Sequence, residues 1–203
     1  MSNEKEGVNP EWSINKERFL SYVKTIETIT HADSEAILSL IKLKSYKKDH
    51  ILIREGELSN NEFFITEGIV KALFIDEQGN EKITAFYPGQ NFIGTNALRT
   101  KQNKSIYTFQ TLTKTTTLIF NSLHFMDLIK DSPKLMSLAS EVKELEISRQ
   151  NRRERTLMQV HASDKYEQFI EDYPNLEEIV PHYNIASYLG ITPVTLSRIK
   201  NKK

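Results

Sequence analysis

His182-Tyr-Asn-Ile-Ala-Ser-Tyr-Leu-Gly-Ile-Thr-Pro-Val-Thr-Leu-Ser-Arg-Ile-Lys-Asn201 is laid out as two short helices joined by a tight turn. Ile185 and Leu189 lie four apart, so they share a helix face, with Ala186 beside them. Gly190 stands where the first helix must stop and the chain must turn, a place for a residue free to adopt positive φ. Ile191 plugs the turn, Thr192 can cap the next helix through its hydroxyl, and Pro193 suits a first helical position. Leu196 and Ile199 then face back onto Ile185 and Leu189. The opposite face of the second helix carries Thr195, Arg198 and Lys202, with Thr192 at its start. A short helix with an apolar back and a polar, basic front is what a DNA major groove admits. Any packed helix pair shares the apolar spacing. The glycine, the turn plug and the small Ala186 are what single out a helix-turn-helix, together with the absence of any acidic residue after Glu178.

The rest of the composition narrows the choice. A chain of 203 residues, 38% hydrophobic and 27% charged, is a globular protein of one large or two small domains. No apolar run approaches the roughly 18 residues a membrane span requires, and no signal-peptide core follows Met1. The expected location is therefore the cytoplasm, with no membrane partner. Formal net charge is zero, so attraction to nucleic acid has to come from a local patch, and the C-terminal tip supplies one. The chain has no cysteine. This removes disulfides, iron–sulfur clusters and thiolate-based zinc or haem sites. Its five histidines are scattered without metal-ligand spacing, so no metal site and no cofactor is expected.

Between Ser45 and Phe120, short β-branched or alternating runs are separated by glycine turns: Gly56, Gly68, Gly79, Pro88-Gly89 and Gly94. Many short strands with no helix between them predict an antiparallel roll or sandwich. Helical spacing precedes this region (Phe19, Tyr22, Val23, Ile26; then Ile37, Leu38, Ile41, capped by Asp33 or Ser34). It returns after Asn121, a good cap. Ser132-Pro133 opens a long helix, in which Leu135, Leu138, Val142 and Leu145 form a narrow 3-4-3 seam. The seam suits a dimer contact; packing against the same chain's roll is the alternative. The expected fold is α+β: a polar segment 1–18, an antiparallel jelly-roll-like sensor domain 19–131, a connecting helix 132–161 and a helix-turn-helix domain 162–203.

This organisation resembles the CRP/FNR-type bacterial transcription regulators, and within them short members from Bacteroidetes-like bacteria. The resemblance is carried by Asp49-His-Ile-Leu-Ile-Arg-Glu-Gly56, Phe63-Phe-Ile-Thr-Glu-Gly68, Tyr87-Pro-Gly-Gln-Asn-Phe-Ile-Gly94 and Ile185-Ala-Ser-Tyr-Leu-Gly-Ile-Thr-Pro-Val-Thr-Leu-Ser-Arg198. It implies a homodimer that binds double-stranded DNA, with RNA polymerase a further partner if the role is activation. It also implies a degenerate ligand pocket at Gly94, Thr95, Asn96, Lys104 and Ser105. Members that bind cyclic AMP place a glutamate after this glycine and an arginine some ten residues on. Here Thr95 and Lys104 fall there, lacking the charged acceptor and the planar fork. Each lost charged hydrogen bond costs about 1.5–3 kcal/mol, so tight cyclic AMP binding is not expected; a different small effector remains open.

At the DNA end, Pro193 and Val194 replace the arginine and glutamate of members reading G·C-rich half-sites. Arg198 becomes the candidate base reader. Thr192, Thr195, Ser197, Lys200 and Lys202 are candidate phosphate or groove contacts. The β-wing that usually follows this helix is absent from the sequence as given, which would shift affinity onto dimerisation. Two other classes compete. A cupin-type enzyme needs a His-x-His pair plus a carboxylate, which this chain lacks. A dimeric sensor without DNA binding would share the fold.

Overall fold

A computed structural model describes residues 10–94 and 104–201, so Thr95, Asn96 and Lys202 lie outside the described residues. Helices α1 (Pro10–Ile26) and α2 (His31–Ser39) lead into strands β1 (Lys42–Tyr46), β2 (Ile51–Ile53), β3 (Asn61–Glu67), β4 (Ile69–Ile75), β5 (Glu81–Pro88), β6 (Asn91–Ile93), β7 (Thr108–Thr111) and β8 (Thr115–Asn121). Helices α3 (Ser122–Lys130) and α4 (Pro133–Met158) follow, then α5 (Ala162–Asp172), α6 (Leu176–Ile179), α7 (His182–Leu189) and α8 (Pro193–Lys200). The strands form two four-stranded antiparallel sheets, ordered β1-β8-β3-β6 and β2-β7-β4-β5.

The alternation of side chains along a strand explains the layering. On β3, Phe63 and Ile65 point between the sheets. There they meet Val70, Ala72, Ala85, Tyr87, Ile93 and Phe109. Phe64 points the other way, into a second core with Phe19 and Val23 of α1, Leu118 and Phe120 of β8, and Leu135 and Leu138 of α4. On the far sheet, Ile69 and Ile83 turn outward into a third core, built with the C-terminal helices. Each sheet thus also buries apolar residues on its outer face, one against α1–α4 and the other against α5–α8.

The helix ends follow local chemistry. Asn121 accepts from the Leu123 and His124 amides, Ser132 accepts from the Leu135 amide, and Pro133 takes the first turn of α4. Two expectations change. Helix α1 begins at Pro10, so residues 10–18 of the segment 1–18 are helical, and Trp12 packs against the α1–α4 core. The cap of α2 is Thr30, not Asp33 or Ser34. Thr30 and Asp33 form a reciprocal capping box, the Asp33 amide to Thr30 Oγ1 and the Thr30 amide to Asp33 Oδ2, each 3.0 Å.

The seam on α4 also reads differently. Leu135 and Leu138 are fully buried in the chain's own core, and Val142 is partly buried against it. Of the four expected dimer residues only Leu145, 49% exposed, remains on the surface. The reason is that α4 lies along the roll and needs an apolar face there before any partner arrives. The outward stripe of the same helix, one-half turn round, carries Met136, Ser140, Lys143, Ile147, Glu154 and Met158, all exposed.

Candidate nucleic-acid interface

Helix α7 ends at Gly190, whose φ of 65° and ψ of 33° are left-handed. The turn is closed by the Ile191 amide donating to Ala186 O at 3.0 Å. A Cβ at Gly190 would meet only Leu157 Cδ2 at 3.5 Å, an ordinary contact. The glycine is therefore required by its torsion and not by space. Gly190→Ala is expected to destabilise the protein by about 1–2 kcal/mol, read as a lower urea midpoint at unchanged slope.

Past the turn, Thr192 caps α8 by accepting the Thr195 amide at 3.1 Å, and its hydroxyl lies 2.9 Å from Thr195 Oγ1. Leu196 is fully buried against Ile185, Ala186 and Leu189, with Ile191 and Ile199 packed beside them. What α8 leaves outside is Thr192, Pro193, Val194, Ser197 and Arg198, with Thr195 half-buried. Val194 is 60% exposed, and beside the helix Tyr183 is 59% exposed, an outward residue that the spacing of apolar positions does not reveal. Arg198 has no ion-pair partner among the described residues. Lys200 does: its Nζ lies 3.1 Å from Glu177 Oε2 and 3.0 Å from His182 Nε2. The hydrogen bond from Tyr166, followed by that from Lys200, holds the Glu177 carboxyl below the ordinary carboxylate range. Lys200 therefore secures α8 to its own domain, and among the described residues the free cation on the outer face is Arg198.

The helical domain is docked on the roll. β5 is an edge strand, and Ser187 Oγ satisfies that edge by donating to Glu81 O (2.9 Å) and accepting from the Ile83 amide (3.1 Å). Arg153 of α4 donates to Ile83 O at 3.0 Å, and its guanidinium lies 5.2 Å from the Tyr188 ring centre. On the same strand, Phe86 completes the contact, with ring centres of Tyr188, Tyr173 and Phe169 at 5.3, 5.9 and 6.2 Å. None of these partners is close in sequence, and sequence spacing gave no signal for them.

The cyclic nucleotide-binding domain model matches residues 43–132, the roll and the helix after it. An anaerobic regulatory protein of Haemophilus influenzae is 26% identical over 184 residues, covering 85% of this chain and 71% of that protein. Among solved structures, FixK2 of Bradyrhizobium japonicum aligns with a TM-score of 0.70 at 16% identity, over 80% of this chain and 83% of that one. The c-di-GMP responsive global regulator CLP of Xanthomonas campestris gives 0.68 at 14% identity, over 85% and 91%. The chain is similar to regulators of CRP/FNR type and shares their fold.

In this chain the expected ligand residues have other duties where they are described. Ser105 is buried; its amide donates to Glu57 O (2.9 Å), its carbonyl accepts the Gly56 amide (2.8 Å), and its hydroxyl donates to Tyr107 O (2.5 Å). Lys104 is exposed, bridged through its backbone to Leu58. Gly94 lies near a buried carboxylate, its notional Cβ 3.8 Å from Glu62 Oε2. The space between the sheets is filled by Phe63, Tyr87, Phe109 and the aliphatic residues around them. Among the described residues no cluster of three or more metal-binding side chains occurs, and no helix is long and apolar enough to cross a membrane.

Proposed function

We propose that this DNA-binding regulator of CRP/FNR type works as a homodimer reading a palindromic operator. The observation that carries the reading is the outer face of α8, where Arg198 stands exposed on a helix whose other side is fully buried. Two such helices entering successive major grooves imply half-sites about 34 Å apart. Arg198 reads a guanine edge, Val194 offers an apolar face to a thymine methyl, and Thr192, Thr195 and Ser197 hold phosphates. Lys200 contributes mainly through its hold on α8. A DNA partner implies a cytoplasmic location, and RNA polymerase becomes a partner only if bound DNA leads to activation. Selection of bound sequences from a random DNA pool tests the reading: a two-fold-symmetric motif is expected, and recovery of no preferred sequence at low salt overturns it in favour of a sensor without sequence-specific DNA binding.

The dimer contact falls on the outward stripe of α4, because the inward stripe is already used by the roll. Ile147, 36% exposed, sits mid-stripe. The wild-type chain is expected to sediment as a dimer and Ile147→Glu as a folded monomer with its helical circular dichroism intact. A dimeric Ile147→Glu protein would place the contact elsewhere.

For the roll, the spent donors of Ser105 and the filled interior support a sensor domain without tight cyclic AMP binding. Calorimetry is expected to show no saturable binding in the low-micromolar range. Saturation there would reverse this part of the reading.

A further inference from the structure

A cavity of about 180 Å³ opens where the roll, the connecting helix and the helical domain meet. Its walls come from all three: Tyr87 and Phe92 from the roll, Arg149 and Arg152 from α4, Tyr173 and Tyr188 from the helical domain. From this we infer a binding site for a small aromatic carboxylic acid, wedged between the two domains.

Size and shape set the ring. A cavity of about 150 Å³ in another protein interior takes up benzene, so 180 Å³ admits one substituted ring. Aromatic walls favour a flat partner through offset and edge contacts.

The hydrogen-bond inventory sets the acid. Glu146 is saturated: its carboxylate accepts from Arg149 Nε (3.0 Å) and Nη2, from Gln150 Nε2 (2.8 Å), and from Tyr87 Oη at 3.4 Å. Arg149 still has a buried Nη1 with no hydrogen-bond partner. Arg152 is half exposed, and its ion pair with Asp172, Nε to Oδ1, is long at 3.5 Å. Arg149 thus keeps a spare donor and Arg152 is only loosely paired, which favours a ligand that brings a carboxylate to the arginines. Such an acid competes with Asp172, the last residue of α5, for Arg152. Its binding therefore bears on how the helical domain is held.

The site is independent of DNA recognition and is tested without DNA. Benzoate is titrated into the full-length protein by calorimetry, with benzamide and cyclohexanecarboxylate as controls. Benzoate is expected to saturate below about 10 mM, and each control to bind at least about tenfold more weakly. Arg149→Gln removes a buried charge and endangers folding, so Arg152→Gln, at the cavity rim, is the informative variant. With unchanged circular dichroism it is expected to weaken benzoate about tenfold. Absence of saturation by the folded wild type, equal binding of either control, or an unaltered affinity in Arg152→Gln overturns the assignment.

Discussion

Replacing Arg198 by alanine is expected to weaken operator binding by about 1–3 kcal/mol and to relax preference at one base pair per half-site. The size follows from the geometry of the contact. A guanidinium presents two parallel N–H groups to a guanine edge, and each good bidentate pair carries about that much discrimination. Arg198 is exposed on α8 and engaged with no acidic residue among those described, so it has no internal bond to break before meeting DNA. Arg198→Lys keeps the charge and loses the fork. It should retain most of the salt dependence of binding while losing the base preference. The contrast with Lys200 sharpens the test. That side chain is tied to Glu177 and His182, so Lys200→Ala should act mainly on stability, with a uniform and smaller effect across DNA sequences. Competition mobility shifts against single-base operator variants read both quantities. An Arg198→Ala protein with undiminished discrimination would place the base reader elsewhere, with Tyr183 and Val194 as the next exposed candidates.

The sequence told most where the physics is local. Caps such as Asn121 and Ser132, the left-handed Gly190 and the apolar spacing from Ile185 to Ile199 are each decided within a few residues, and the helix-turn-helix was legible for that reason. The strands were legible too, because glycine and Asp-x-x-Gly turns punctuate them. What was not legible is how elements far apart in the chain share one surface. The Leu135–Leu145 seam has the same spacing whether it meets a partner copy or the chain's own sheet. Only the position of α4 along the roll shows that Leu135 and Leu138 are consumed internally. Likewise the role of Ser187 in closing the edge of β5, some hundred residues earlier, leaves no trace in periodicity. In sequence the apolar seam of α4 ends at Leu145. In the fold Arg149 and Arg153 continue the inner face, each laid over a tyrosine, Tyr87 and Tyr188 respectively.

That substitution of arginine for leucine in the seam leads to the largest stability effect. Glu146→Ala is expected to cost about 3–5 kcal/mol. The side chains of Arg149 and Glu146 are only 13% and 11% exposed, so removing the carboxylate leaves a guanidinium buried with Tyr87 as its remaining partner, through the 3.0 Å Nη2–Oη hydrogen bond and the ring face 4.8 Å away. The charge cannot be shed. Burial opposes the Arg149 cation, but Tyr87 and Glu146 outweigh it and hold its pKa above the usual value, and a guanidinium does not deprotonate in proteins. The Tyr87 phenol is held neutral, its pKa pushed up chiefly by its own burial, so it cannot replace the lost anion. An exposed pair in the same chain gives the control. Lys130 and Asp127 meet at 2.7 Å with side chains 68% and 71% exposed, and Asp127→Ala should leave the urea midpoint nearly unchanged. The double substitution Glu146→Leu with Arg149→Met removes both charges and restores an apolar seam. It should recover most of the loss, since a buried pair is worth little against a well-packed apolar replacement. Urea denaturation of the single and double variants closes the cycle. A loss below about 1 kcal/mol for Glu146→Ala would mean that water reaches Arg149 from the adjoining cavity and solvates it as well as the carboxylate does.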